Sequence, residues 1–218
     1  MTKQEAKEQI VTYFRMMYRN GMVNLFEGNV SMRWEDRFLI TPSQQNKETM
    51  TAAEILEVDA QGNLLAEVPG FRPSSEMHMH LEVYRLRPDV QACVHNHSVF
   101  ATAYAAAGQP ICSCGVAESN VVFGTIPVVP YGRPGTADIY KAFPEYLSEY
   151  SALLLENHGV LTMGPDLTLA YSMAEAVEKI AKLLVITRLL GGEKSLPEKE
   201  LNLLREHGRQ IRRKLMGL

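Results

Sequence analysis

The sequence predicts a single α/β domain built on a mainly antiparallel sheet, and three observations lead there. Short apolar runs of strand length recur between residues 29 and 163, several of them joined in pairs by turn-forming residues. Helical stripes stand at both ends of the chain and between some of these runs, without the regular strand-helix alternation of a parallel sheet. No internal repeat, low-complexity tract or long linker divides the 218 residues, so one domain spanning 1–218 accounts for the whole.

Thr2 and Glu5 have the spacing of a capping box, and Ile10, Phe14, Met17 and Tyr18 recur at helical intervals up to Asn20-Gly21, which predicts an amphipathic first helix. Runs over 29–33 and 37–41, closed by Pro42, predict a hairpin. Runs over 53–58 and 64–68 flank Asp59-Ala60-Gln61-Gly62-Asn63 and predict a second antiparallel pair. Pro73-Ser74-Ser75 opens a helix over 76–87, with Glu76 in its first turn and Pro88 beyond its end. A strand over 90–94 leads through His95-Asn96-His97-Ser98 into an Ala-rich helix that stops at Gly108. Strands over 126–129, 152–155 and 160–163 follow, the last two joined by the tight turn Asn157-His158-Gly159. Asp166 caps a long helix that ends at Gly191-Gly192, and Ser195, Pro197 and Glu198 open a final one.

Composition narrows the partners. With 46% apolar and 22% charged residues the chain resembles ordinary soluble proteins, and 22 Lys+Arg against 25 Asp+Glu leave a net charge of −3. That is too near neutrality for the broad positive field that nucleic acid or an anionic membrane requires, so neither is expected as a partner. Three cysteines, with Cys112 and Cys114 two apart, make no disulfide framework. The N-terminus is polar rather than signal-like, and no apolar run approaches the ~20 residues of a membrane span, so the expected location is the cytoplasm. The eleven methionines read as packing residues, Cys112-Ser113-Cys114 as structural rather than as a metal pair, and Arg205, Arg209, Arg212, Arg213 and Lys214 as a solvated helix end, with a role over a neighbouring subunit's anion site as the alternative.

The chemistry-bearing residues concentrate in a few places. His95 and His97 are two apart in an extended segment, so both imidazoles can face one point, which is metal-ligand geometry. A catalytic zinc site uses three protein ligands and leaves one position open. His158, in a polar trio at the mouth of a core strand, is the best third ligand. His78 and His80 are rivals, of which only one can serve, because two positions on a helix are roughly 200° apart. Glu76 is either an acid complementing the helix dipole or an acid/base group beside the metal. Ser74 and Ser75, with Gly28-Asn29 or Thr41-Pro42-Ser43, form either an anion cradle or plain caps.

Gly28-Asn29-Val30-Ser31, Ile40-Thr41-Pro42-Ser43, Pro73-Ser74-Ser75-Glu76, Arg87-Pro88-Asp89, Val94-His95-Asn96-His97 and Asn157-His158-Gly159 follow one another in an order that resembles the class II aldolase/adducin family, in particular its fuculose-1-phosphate aldolase branch. The resemblance implies a three-layer α/β/α fold with a mainly antiparallel central sheet, and a homotetramer. It implies Zn²⁺ held by His95, His97 and His158, with Mn²⁺, Co²⁺ or Fe²⁺ tolerated by the same ligands. Glu76 would be a ligand in the empty enzyme and the acid/base group afterwards, and a phosphorylated sugar would be held by Gly28, Asn29, Ser43, Ser74 and Ser75. The implied reaction is reversible cleavage of a ketose 1-phosphate to dihydroxyacetone phosphate and an aldehyde. Decarboxylase, dehydratase and 4-epimerase relatives share the pattern, although the epimerases carry Asp where Glu76 stands. The adducin head keeps the fold without the metal ligands. This chain departs from the aldolases at Phe26, where they have a small hydroxyl, and at Gln44, where they have Gly. It has no tyrosine after Tyr171, leaving Tyr131 as a candidate proton donor.

Overall fold

The computed structural model describes residues 1–215. Helix α1 (Lys3–Arg19) begins in the expected capping box: Thr2 Oγ1 accepts from the Glu5 amide, and the Glu5 carboxylate accepts from the Thr2 amide. Strands β1 (Asn29–Trp34) and β2 (Arg37–Ile40) form the predicted hairpin, with Glu35 in the left-handed conformation at the turn. Strand β3 (Leu56–Val58) pairs with β2.

The second predicted hairpin is only partly present. Asp59 Oδ1 accepts from the amides of Gln61 and Asn63, so the turn forms, but pairing stops after the Val58–Leu64 bridge and 64–68 is not a strand. Pro69, which has no N–H, and Gly70 terminate any extension, and residues 52–54 wind into a 3₁₀ turn rather than a strand.

Helix α2 (Met77–Leu86) is followed by β4 (Ala92–Asn96), α3 (Val99–Ala106), β5 (Ile111–Cys112), α4 (Ala117–Val122) and β6 (Thr125–Ile126). The strand expected over 126–129 is split at Pro127, which removes a ladder donor. Its first half, β6, pairs with β5 in a separate ribbon, and its second half, β7 (Val128–Val129), joins the main sheet. After α5 (Phe143–Tyr146), β8 (Ala152–Leu155) and β9 (Gly159–Gly164) form the second tight hairpin. Helices α6 (Leu167–Leu189) and α7 (Glu198–Leu215) complete the described chain. Asp166 caps α6 as predicted, whereas the Ser195 hydroxyl lies against Cys114 Sγ at 3.1 Å instead of capping α7.

The seven main strands run β3-β2-β1-β4-β9-β8-β7, antiparallel except for β7 with β8. Side chains alternate across this sheet. Cys93, Leu153, Leu155, Leu161 and Met163 meet Met79, Val83 and Tyr84 of α2 and Phe143 of α5 on one face. Ala92, Val94 and Val30 meet α1 and the start of α6 on the other, where Leu154 and Val160 also pack on α3 and α6. Helices therefore cover both faces, and the three-layer α/β/α arrangement follows from that alternation. Arg87, buried just past α2, forks onto Asp89 at 2.8 and 2.6 Å and donates to the Leu147 carbonyl, tying the end of α2 to the α5 segment. No helix among the described residues is long and apolar enough to cross a membrane.

Candidate metal centre

The sheet brings distant residues to one of its ends. Asn29 opens β1 and is paired in register with His95 near the end of β4, while Leu155 and Gly159 face each other across the β8–β9 turn. Because Cys93 faces α2, His95, two residues on, faces it too, and its side chain is completely buried. Its Nδ1 lies 2.9 Å from the carbonyl oxygen of Val160. A carbonyl can only accept, so Nδ1 carries the hydrogen and Nε2 is left with its lone pair toward the site.

His97 follows the strand, anchored by its amide to the Met22 carbonyl, and its Nε2 lies 3.0 Å from Nε2 of His95. His158 sits in the β8–β9 turn after Asn157, whose φ of 56° is left-handed. The three imidazoles offer nitrogens that all lie within 4.8 Å of one another. Gly159 is essential to this approach: a Cβ there would stand 2.6 Å from the Asn96 carbonyl oxygen and 2.7 Å from Cδ2 of His97.

Glu76 immediately precedes α2, but its side chain does not cap the helix. Its carboxylate instead spans two histidines, Oε2 at 3.2 Å from His95 Nε2 and Oε1 at 3.2 Å from His158 Nε2, while Asn29 Nδ2 donates to Oε2 at 3.0 Å. The rival histidines go elsewhere. His78 is exposed over the Gly62 turn, and His80 is buried with Nδ1 2.7 Å from Ser31 Oγ, which in turn meets the Tyr84 hydroxyl at 2.7 Å.

Electrostatics follow from burial and proximity. Burial alone would raise the Glu76 carboxyl, but His95, His158 and the Asn29 amide outweigh it and hold the group well below the usual carboxylate range. His95 is raised: burial opposes its charged form, and Glu76 more than compensates. His97 and His158 are each pushed down to about 4, first by burial and then by the charge on His95. At neutral pH His97 and His158 are therefore neutral beside an ionised Glu76, whose charge favours the protonated form of His95 as long as no cation takes its place.

This donor set fits a divalent cation. Ligands at about 2.0–2.1 Å in a tetrahedron stand about 3.3 Å apart. The observed neighbours, 3.0 Å between the two Nε2 atoms and 3.2 Å between Glu76 and each of its histidines, match that spacing. Glu76 Oε1 and His158 Nδ1 are buried without hydrogen-bond partners, and His97 Nδ1 faces Glu27 Oε2 at 3.7 Å in the position of an outer partner.

Of the residues expected to hold an anion, Asn29 and Ser74 contact Glu76 directly. Thr41 and Ser43 run alongside 72–74, with the Ser43 amide bonded to the Arg72 carbonyl and the Ser74 amide to that of Thr41. Thr41 Oγ1 accepts from the Val30 amide, which ties this segment to the start of β1 next to Asn29. Ser74 Oγ accepts from the Glu76 amide, and Ser75 is exposed. Gly28, at a φ of 71°, passes so close to Val23 and the His95 carbonyl that a Cβ would overlap both. Gln44 adopts a φ of 54°, so the backbone keeps the left-handed turn that glycine favours. Phe26 is exposed. Tyr131 is also exposed, its amide on the carboxylate of Glu156 beside the turn that carries His158.

Two features had little signal in the sequence. Asn29 was expected on the anion, yet its amide nitrogen steadies Glu76 while its Oδ1 stays buried and unpartnered. Gly159 reads as a turn residue, and only its close contact with the Asn96 carbonyl and the His97 and His95 rings reveals that a side chain is excluded there.

A family model described as Class II Aldolase and Adducin N-terminal domain matches residues 8–185. The L-fuculose phosphate aldolase of Escherichia coli O6:H1 is 33% identical over 187 residues, covering 86% of each chain. The 3-oxo-tetronate 4-phosphate decarboxylase of Haemophilus influenzae is 32% identical over 194 residues, covering 84% of this chain and 88% of that one. A solved L-fuculose 1-phosphate aldolase superposes with a TM-score of 0.84 at 27% identity, covering 93% of this chain and 95% of the other. With its motifs, its layers and the convergence of His95, His97 and His158 all in accord, the chain belongs to the class II aldolase and adducin family.

Proposed function

We propose that this protein is a zinc-dependent class II aldolase that reversibly cleaves a ketose 1-phosphate to dihydroxyacetone phosphate and an aldehyde. The observation that carries the reading is the Glu76 carboxylate bridging His95 and His158 at 3.2 Å, with His97 completing the ring of nitrogens. His95, His97 and His158 would hold the ion. When bound, it supplies positive charge that stabilises the negative charge developing on the substrate's carbonyl oxygen as the carbon-carbon bond breaks.

The chain's own groups do the rest. Glu76, an ionised carboxylate steadied by Asn29, exchanges a proton with the triose carbon beside the carbonyl. Ser74, whose hydroxyl proton is not committed by the bond it accepts, and Ser43, Ser75 and the backbone turns at Gly28 and Gln44 form the cradle for phosphate. Tyr131, exposed and held by its amide on Glu156 beside the His158 turn, would serve the proton of the departing aldehyde oxygen. The resemblance supports a homotetramer, which sedimentation of the purified protein tests.

A second reading is favoured by the decarboxylase relative, whose identity of 32% nearly equals that of the aldolase. Loss of carbon dioxide beside a carbonyl leaves the same charge on oxygen, so the same centre suits both reactions. Incubation with fuculose, rhamnulose and ribulose 1-phosphates and with 3-oxo-tetronate 4-phosphate, with and without chelator, tests the proposal. It predicts metal-dependent release of triose phosphate from a ketose 1-phosphate. Carbon dioxide released together with triose phosphate from 3-oxo-tetronate 4-phosphate, with no ketose 1-phosphate cleaved, would establish the second reading, and turnover unaffected by metal removal would contradict both.

A further inference from the structure

The opposite end of β8 carries a chemically different feature. A cavity of about 650 Å³ opens there, walled by Arg205, Arg209, Arg212 and Arg213 of α7 and, across from them, by Tyr150 and Cys112. Arg205, Arg209 and Arg212 stand at i, i+4 and i+7, so one helix face presents all three. Gly208 lies on that face against the Val121 backbone, where no side chain fits, and this close approach fixes α7 on α4.

The charge in this cavity is under-compensated. Arg205 donates to Asn120 Oδ1 and Arg212 to the Val121 carbonyl, both neutral acceptors. Arg209 pairs with Glu206 on the exposed side of the helix, and Arg213 has no hydrogen-bond or ion-pair partner among the described residues. Glu149 is the single carboxylate in the wall, so with Glu206 beside Arg209 four guanidiniums meet two carboxylates, a local excess of positive charge in a chain whose net charge is −3. Burial and the neighbouring Arg209 both disfavour the charge on Arg212.

We propose that this cavity is a second anion site that binds a small phosphorylated metabolite, separate from the metal centre. Guanidinium forks match phosphoryl oxygens in pairs, and the volume lies within the range of about 300–1,000 Å³ typical of small-molecule sites. None of the metal-centre residues lines it. Tyr150 precedes β8 and His158 follows it, so four strand residues, roughly 13 Å, separate the two sites. The proposal does not depend on which sugar phosphate the metal centre cleaves.

Cys112, exposed in the cavity wall, supplies the readout; Cys93 is buried, and Cys114, half-buried against Ser195 outside the wall, is distinguished from it by fragmentation of the shared peptide. The metal-loaded protein is titrated with inorganic phosphate and with fructose 1,6-bisphosphate, while alkylation of Cys112 is followed by peptide mass. The expected result is saturable protection of Cys112 by the bisphosphate, and by phosphate at higher concentration. Arg209→Gln with Arg213→Gln should weaken that protection about tenfold per guanidinium, with the melting temperature unchanged. Asn29→Ala, at the metal centre, should leave it intact. Protection by neither probe at millimolar concentration would overturn the proposal, as would protection lost in Asn29→Ala but kept in the arginine variant. A fall in oligomeric state of the arginine variant without any protection would overturn it as well, because a second copy would then fill the cavity.

Discussion

His95 Nδ1 lies 2.9 Å from the Val160 carbonyl oxygen, across the β4–β9 pair, and this contact decides what a fully buried imidazole does. In the neutral ring the one hydrogen is committed to the sheet, so Nε2 is available to a cation. Strand pairing thus fixes the orientation of the innermost ligand, and the two other histidines are arranged around it.

Removal of a single imidazole should therefore empty the site without unfolding the chain. His97→Ala and His158→Ala are each expected to lower metal affinity by more than about a hundredfold. Both rings sit at the sheet's end rather than within a hydrophobic cluster, so far-UV circular dichroism should be unchanged. Metal content by mass spectrometry after dialysis is the check, and full occupancy in either variant would contradict the ligand assignment.

Glu76→Gln separates proton transfer from metal binding. Three nitrogens remain, so the ion should be retained, while the rate of cleavage should fall by about 10²–10⁴. A variant as active as the parent would reduce Glu76 to a charge near the start of α2.

The metal-free protein should weaken in acid over a defined window. His97 and His158 titrate near pH 4 when folded and near 6.5 when unfolded. Between these values the unfolded chain binds more protons, so stability falls as the pH drops from 6.5 to 4. Glu76, held low, adds a loss of the same sign below about pH 4.5. His95 acts in the other direction, its contribution full below pH 6.5 and fading as the pH rises through its raised folded value. Chelator-treated protein carrying His97→Gln and His158→Gln should show a flatter dependence of melting temperature on pH, and an unchanged slope would refute the attribution.

Gly159→Ala should damage the centre from outside its ligand set. The added methyl would press on the Asn96 carbonyl and the His97 ring, and overpacking of this kind costs about 1–3 kcal/mol. Calorimetry should show a lowered melting temperature together with reduced metal content. Unaltered metal content would mean that the rings can shift freely.

Much of this was legible in the sequence, for physical reasons that differ from element to element. The first helix announced itself through Thr2 and Glu5, and the β8–β9 turn through Asn157-His158-Gly159, because both depend on neighbours in the chain. His95 and His97 could be paired because strand alternation fixes which way side chains point. The segment 64–68 misled: its apolar residues suit a strand, but Pro69-Gly70 denies it a partner. Asn29's hold on Glu76 was illegible because it joins residues 47 apart. The arginines of α7 resemble a solvated helix end until Gly208 is seen to seat that helix on α4.

Anomalous diffraction at the zinc absorption edge, from crystals of the zinc-loaded protein, tests the central claim most directly. The account predicts one peak per chain, about 2.0–2.1 Å from a nitrogen of each of His95, His97 and His158. A peak elsewhere, or one touching fewer than all three rings, would contradict it.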